Sequence, residues 1–123
     1  MDKSRRSELK QAYKNRTPEV GVFQIKNKVN GKIFLGSSPS LDKAFNRHLL
    51  GLKIGSHPNK ELQKEWNQYG EESFIFEVID RIKPNEDPLY NYSEDLKTLE
   101  EMWLDKLEPY GEKGYNKKKT NNR

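Results

Sequence analysis

A predicted β-hairpin over residues 20–36 constrains the fold of this 123-residue chain more than any other feature. Two short apolar runs, GVF at 21–23 and FLG at 34–36, have the composition of strands. The Asn30-Gly31 pair between them is the strongest short-range signal for a tight turn, because glycine tolerates the positive φ that such a turn requires. The chain is therefore expected to build a sheet around this hairpin.

Length and composition limit the class of protein. A chain of 123 residues is expected to form one domain with a modest core. Apolar content is 32% and charged content 34%, and the apolar residues fall in periodic patches, which favours a small, heavily solvated globule. No apolar run approaches the about 20 residues of a membrane span, and no signal peptide is recognisable. With no cysteine in the chain, we expect a soluble, cytoplasmic protein without disulfides.

Three core helices follow from the apolar periodicity. Apolar side chains at i, i+3, i+4, i+7, i+8 and i+11 from residue 41 predict an amphipathic helix that Ser40 caps and that Gly51 or Gly55 ends. Residues 59–69 predict a second helix, with Gly70 as its left-handed C-terminal cap. Ser93 opens the third helix, which ends before the proline at 109.

The remaining segments complete the predicted architecture. Residues 74–79 are apolar on both faces, which predicts a central strand, and residues 4–14 predict an N-terminal helix. The fold class is expected to be α+β, a small three-stranded, mainly antiparallel sheet flanked by helices. We divide the chain into a basic helical extension at 1–18, a domain at 19–116 and a flexible basic tail at 117–123.

Charge is unevenly distributed along the chain. Residues 1–18 carry six basic and two acidic groups, and residues 117–123 carry four basic groups. Residues 80–113, in contrast, carry five basic and ten acidic groups. Basic ends suit a phosphate-backbone partner, because each neutralised phosphate releases counterions. The alternative is that these charges serve solubility alone.

Glu100 is a candidate functional residue on its position alone. At about 100° per residue it falls between Leu96, Trp103 and Leu104 on the apolar face of its helix. A carboxylate there must be paired, bound to a cation or protonated, because burying an isolated charge is very costly. A purely structural glutamate, bonded to backbone or to an arginine, is the alternative.

The hairpin and the segments after it resemble the GIY-YIG family of DNA endonucleases. In that family the first strand carries Gly-Ile-Tyr and the second Tyr-Ile-Gly, whereas this chain has GVF and FLG. The resemblance extends over residues 20–116 through the following matches: Gly36-Ser37-Ser38, NKELQ at 59–63, EWNQYG at 65–70 and Gly114-Tyr115-Asn116. It implies the same α+β fold.

The resemblance also implies a set of site residues. Glu100 matches the glutamate that holds the single divalent cation, and His48 matches the histidine that contacts the scissile phosphate and helps to activate water. Asn116 matches an asparagine beside the active site. The two tyrosine positions and the arginine position are occupied here by Phe23, Phe34 and Ala44. Without the resemblance, His48 reads as a structural histidine and residues 114–116 as a turn with a short edge strand.

These three substitutions remove chemistry that the family uses. A phenylalanine ring has no proton to transfer, and general acid–base help is typically worth about 10²- to 10⁴-fold. Alanine provides no charge, and losing an electrostatic stabiliser costs about 10²- to 10³-fold. Little phosphodiesterase activity is expected to remain.

The candidate nucleic-acid-binding residues are Lys43, Arg47, Lys32, Lys117, Lys118 and Lys119.

Three functions are therefore open. The preferred hypothesis is a catalytically degenerate domain that binds DNA or another partner through the cleft around His48, Glu100 and Asn116. The second is a working endonuclease of bacterial or phage origin, with weakly bound Mg²⁺ or Mn²⁺ on Glu100 and with Arg47 or Lys43 replacing the arginine. The third is a protein–protein adaptor that binds no nucleic acid. The resemblance further implies that the six family positions line one concave surface.

Overall fold

The hairpin is present where the sequence predicts it, in a computed structural model that describes residues 18–117. Strands β1, Val20–Asn27, and β2, Ile33–Ser38, pair antiparallel. Gly31 has a φ of 80° in the turn, and its N–H donates to the carbonyl of Asn27 over 2.8 Å. The glycine thus supplies the left-handed conformation that closes the hairpin. The helix predicted over residues 4–14 and the lysines at 118 and 119 lie outside the described residues.

The third strand lies at an edge of the sheet. Strand β3, Phe74–Ile82, pairs antiparallel with β1, and the strand order is β2-β1-β3. The prediction of a central strand at 74–79 is therefore wrong, since β1 occupies the centre. Apolar residues on both faces of a strand do not determine how many strands pair with it. At this edge of the sheet Ile75 remains 39% exposed, so its face of β3 is only partly covered.

Three helices connect and cover the strands in the described part of the chain. They are α1, Leu41–Ile54, α2, Lys60–Tyr69, and α3, Ser93–Leu107. Ser40 occupies the N-cap position of α1, but its side chain makes no capping hydrogen bond. Gly55 ends α1 with a left-handed φ of 81°. Gly70 after α2 has φ 91° and ψ 158°, so it is not the left-handed cap that the sequence suggested. No helix in residues 18–117 is long and apolar enough to cross a membrane.

The sheet is covered on both faces. Phe23, Ile25 and residues of α1 and α2 form the main buried cluster on one face. Leu35 alternates with Phe34 along β2 and lies on the other face, where α3 packs against β1 and β2. The residues of the main cluster are Phe23, Ile25, Leu41, Ala44, Leu52, Leu62, Trp66, Phe74 and Tyr115.

The segment after α3 returns to the outer edge of β2. Gly114 forms a parallel bridge with Ile33, and the N–H of Tyr115 donates to the Ile33 carbonyl over 2.8 Å. A Cβ atom on Gly114 would lie 2.4 Å from the carbonyl oxygen of Pro109 and 2.5 Å from that of Ile33. The close approach of these backbones therefore requires glycine, and it brings Asn116 beside β2.

Candidate active site

Two phenylalanines and two histidines form a ring cluster between β1, β2 and α1. The ring centroid of His48 lies 5.3 Å from that of Phe23 and 5.5 Å from that of Phe34. His57, in the turn between α1 and α2, lies 5.8 Å from Phe34. Phe23 is 1% exposed, whereas Phe34 and His48 are partly exposed. The structure therefore brings together three of the predicted site residues, Phe23, Phe34 and His48.

The two histidines are joined by a directed hydrogen bond. The backbone N–H of Asn59 donates to Nδ1 of His57 over 3.0 Å, so the neutral His57 carries its proton on Nε2. That Nε2 lies 2.7 Å from Nδ1 of His48 and donates to it. The proton of neutral His48 then resides on Nε2. His48 is consequently a hydrogen-bond donor on the side of its ring that faces away from His57.

Both histidines are neutral at pH 7. Burial lowers the pKa of His48 from 6.5 to about 4, and the charges of His57 and Arg47 act in the same direction. Burial also lowers the pKa of His57. The pair therefore provides hydrogen-bonding groups without a positive charge under physiological conditions.

The position that carries an arginine in the family is buried in this chain. Ala44 is 1% exposed and belongs to the same core cluster as Phe23. The neighbouring cations Lys43 and Arg47 are exposed. The cations of α1 therefore lie on its exposed side, and Ala44 itself brings no charge into the core.

Glu100 approaches β2 from the opposite face of the sheet. Its carboxylate accepts a hydrogen bond from the hydroxyl of Ser37. The side chains of Ser37 and its neighbour Gly36 belong to opposite faces of β2. Gly36 packs against the ring cluster, since a Cβ atom on it would lie 2.7 Å from Cζ of Phe23. The edge strand thus links the two groups of site residues, with the ring cluster on one side and Glu100 on the other. That all six family positions line one concave surface stays a prediction.

A cavity of about 280 Å³ lies beside Glu100. Its lining contains two carboxylates, one ammonium group and two hydroxyls, from the residues Ser37, Ser93, Leu96, Lys97, Glu100, Glu101 and Leu104. Within residues 18–117 no three His, Cys, Asp or Glu side chains are grouped so that they could enclose a metal ion. The oxygens of Glu100 suit a divalent cation that keeps most of its water and binds substrate phosphate.

The side-chain amide of Asn116 is hydrogen-bonded to the backbone of β2. Its Nδ2 donates to the Leu35 carbonyl over 2.9 Å, and its Oδ1 accepts from the Leu35 N–H over 2.8 Å. The amide thereby pairs with β2 as another strand would. Asn116 thus holds β2 at Leu35, between Phe34 and Gly36.

Lys32 is not presented to a ligand, contrary to its prediction as a nucleic-acid-binding residue. It is 9% exposed, and its Nζ lies 2.7 Å from Glu61 and 3.2 Å from Glu65. Burial alone would lower the pKa of Lys32, but the two glutamates outweigh it and raise the pKa. Glu65 also accepts from the hydroxyl of Tyr115 over 2.6 Å. Lys32 therefore belongs to a buried network that anchors the C-terminal segment. Lys117 is exposed.

Sequence reasoning missed His57 and Asn59. Neither lies on the apolar stripe of a helix, because both are in the turn that connects α1 and α2. The sequence did contain one signal for His57, because the chain has only two histidines and they are nine residues apart.

Comparisons with known proteins agree with this geometry. The sequence profile of the GIY-YIG catalytic domain matches residues 19–116. The chain is 31% identical over 90 residues to Intron-associated endonuclease 1 of Enterobacteria phage T4, which covers 71% of this chain and 32% of that protein. It thus spans about a third of this relative.

Two solved structures also match. The catalytic domain of homing endonuclease I-TevI superposes with a TM-score of 0.65 and 29% identity, covering 79% of this chain and 96% of that one. A mutant of the same catalytic domain has a TM-score of 0.66 and 26% identity, covering 80% and 92%.

Proposed function

This chain belongs to the GIY-YIG family, and we propose that it binds DNA through this domain while having lost most or all cleavage activity. The observation that carries the proposal is the hydrogen-bonded pair of His48 and His57. His48 is the residue that matches the family histidine, and the bond from His57 holds it as a donor. DNA as the partner of this chain is part of the proposal.

The ring cluster lacks a general base. Phe23 and Phe34 occupy the two tyrosine positions and have no hydroxyl. His48 cannot accept a proton from water on Nε2, because that nitrogen already carries the proton that the bond from His57 leaves there. A donor in that place can bind a phosphate oxygen but cannot activate a nucleophile. The geometry therefore supports binding better than hydrolysis.

Glu100 is the residue that would hold a divalent cation. The cation would neutralise charge on a bound phosphate. In this chain Ser37 orients the Glu100 carboxylate by donating a hydrogen bond to it. This arrangement favours weak binding of Mg²⁺ or Mn²⁺, completed by water and phosphate oxygens.

A working endonuclease is the second candidate. The retained Glu100, partly buried and bonded to Ser37, is the observation that favours it. In that case Arg47 or Lys43 would have to bend back from the exposed face of α1 to replace the missing arginine. Water alone would have to act as the base.

Plasmid nicking and DNA binding separate these functions. The full chain and a Glu100→Ala variant are incubated with supercoiled plasmid and Mn²⁺, and binding to a labelled duplex is measured from about 50 to 200 mM salt. We expect salt-dependent binding and no nicking that depends on Glu100. Nicking by the parent chain that is absent from the variant would establish an endonuclease. Absence of any DNA binding would favour the adaptor instead.

A further inference from the structure

Lys97 lies in the cavity beside Glu100, in a part of the site that the family motifs do not describe. We propose that Lys97 contacts a DNA phosphate from α3, on the side of β2 where Glu100 lies. The inference rests on the proposed DNA binding and identifies the phosphate-contacting residue of the same site. It concerns a cation that sequence reasoning did not select.

Lys97 lines the cavity from the same helix as Glu100. Residues three apart on a helix share a face, so Lys97 and Glu100 project from the same side of α3. Both line the cavity of about 280 Å³. Since a water molecule takes up about 30 Å³ of liquid, the space accommodates a phosphate group together with some of its hydration.

Lys97 is the free donor of this cavity. The hydroxyl of Ser37 already donates to Glu100, and that of Ser93 donates to Asn91 over 2.6 Å. Lys97 is exposed, and within residues 18–117 no carboxylate oxygen lies within 4.0 Å of its ammonium nitrogen. A phosphate oxygen entering the cavity therefore finds one side-chain donor that is not engaged.

The surrounding charge makes this cation important. Residues 80–113 carry ten acidic and five basic groups, and Glu101 lines the cavity as a second carboxylate. A phosphate near α3 is repelled by these carboxylates unless a cation offsets them. Lys97 is the only basic residue in the described lining, so the local field depends on it.

Salt-dependent binding of the full chain to a fluorescein-labelled 30-base-pair duplex in EDTA provides the test. Lys97→Gln should weaken binding roughly eightfold at about 100 mM KCl and make the slope of log K against log salt shallower by about one. Lys97→Arg should retain both the affinity and the salt slope of the parent chain. Glu101→Gln should strengthen binding, an opposite change that a merely structural role of the cavity does not produce.

Lys106→Gln is the matched control. It removes the same charge from the same helix, but Lys106 stacks over the Trp103 ring at 4.9 Å and does not line the cavity. Equal weakening by Lys97→Gln and Lys106→Gln, in variants with unchanged circular dichroism, would overturn the inference while leaving DNA binding intact. Failure of the parent chain to bind DNA would overturn the proposed function and this inference together.

Discussion

His57 donates the proton on its Nε2 to Nδ1 of His48 across 2.7 Å. The direction of this bond is set by Asn59, whose N–H occupies the other nitrogen of His57. A chain of donors thus runs from the start of α2 to the outer nitrogen of His48. The chemical role of His48 is therefore decided by a residue in a turn eleven positions later.

Acid should destabilise the fold through this pair. The pKa of His48 is lowered to about 4 in the folded protein, whereas an unfolded histidine titrates near 6.5. Between these values the unfolded chain binds more protons, so the stabilisation is complete above about pH 6.5 and is lost as pH falls toward about 4. Urea unfolding between about pH 5 and 7 should show this decline, because most carboxylates titrate below that range.

A variant with both histidines changed to glutamine is the control for this pH dependence. It should have a flatter stability profile over the same interval, whatever its absolute stability. Parallel profiles of the parent and the double variant would contradict the assignment.

Substitution of Asn59 should release the histidine tautomers. Its Oδ1 caps α2 by accepting from the Leu62 N–H over 3.0 Å, and its Nδ2 donates to the Tyr115 carbonyl over 2.7 Å. These bonds hold the Asn59 peptide against His57. Asn59→Ala should cost about 1 kcal/mol as a lost cap, and ¹⁵N NMR of the imidazoles should show mixed tautomers.

Asn59→Asp is the companion variant, because it keeps the capping oxygen and replaces the donor to the Tyr115 carbonyl by a second carboxylate oxygen. It should keep the contribution of the cap and lose that of the bond to Tyr115. An unchanged single tautomer in Asn59→Ala would show that the side chain does not position the histidines.

Removal of one hydroxyl should weaken the buried network at the end of the hairpin. The Tyr115 hydroxyl donates to Glu65 and accepts from Nδ2 of Asn27 over 3.1 Å, and Asn27 is 0% exposed. Tyr115→Phe should lower the free energy of unfolding by about 1–3 kcal/mol, measured in urea, because it leaves buried polar groups unsatisfied. Tyr69→Phe, whose hydroxyl has no hydrogen bond within residues 18–117, should change it by less than about 0.5 kcal/mol. Equal losses would mean that the network contributes nothing specific.

Local signals predicted most of the fold. The Asn30-Gly31 turn fixed the hairpin, and the apolar period of α1 placed His48 on its inner side. The centre of the sheet was assigned incorrectly because strand order depends on pairing between distant segments. Residues 74–79 contain no local mark of how many neighbours the strand has.

Candidate site residues could be selected from the sequence where they match a family position. They could not be selected where they depend on packing that is particular to this chain. Lys32 looked available on the hairpin, but α2 brings two glutamates to it across about 30 positions of sequence. His57 and Asn59 act through a turn whose path the sequence pattern does not specify. Lys97 is one of several lysines in the sequence, and only the cavity distinguishes it.

Restoring the family side chains should restore cleavage if the scaffold is otherwise competent. We expect the combined changes Phe23→Tyr, Phe34→Tyr and Ala44→Arg to give measurable Mn²⁺-dependent plasmid nicking. Each change alone should do little, because residues that act as a unit are strongly non-additive. The tyrosines add one hydroxyl each to rings already in place. Phe34 is partly exposed, whereas Phe23 is 1% exposed and packs closely against Gly36.

The arginine is the demanding part of this experiment, because Ala44 is 1% exposed within the core. Adding a long side chain to a packed site typically costs about 1–3 kcal/mol, so the triple variant should unfold at lower urea than the parent. The double tyrosine variant provides the comparison without the arginine, and a Glu100→Ala change in the triple background should abolish any restored nicking. A triple variant that is folded and binds DNA but cleaves no faster than the parent would show that the loss of activity extends beyond these three positions. The donor state of His48 would then be the next element to alter, through His57.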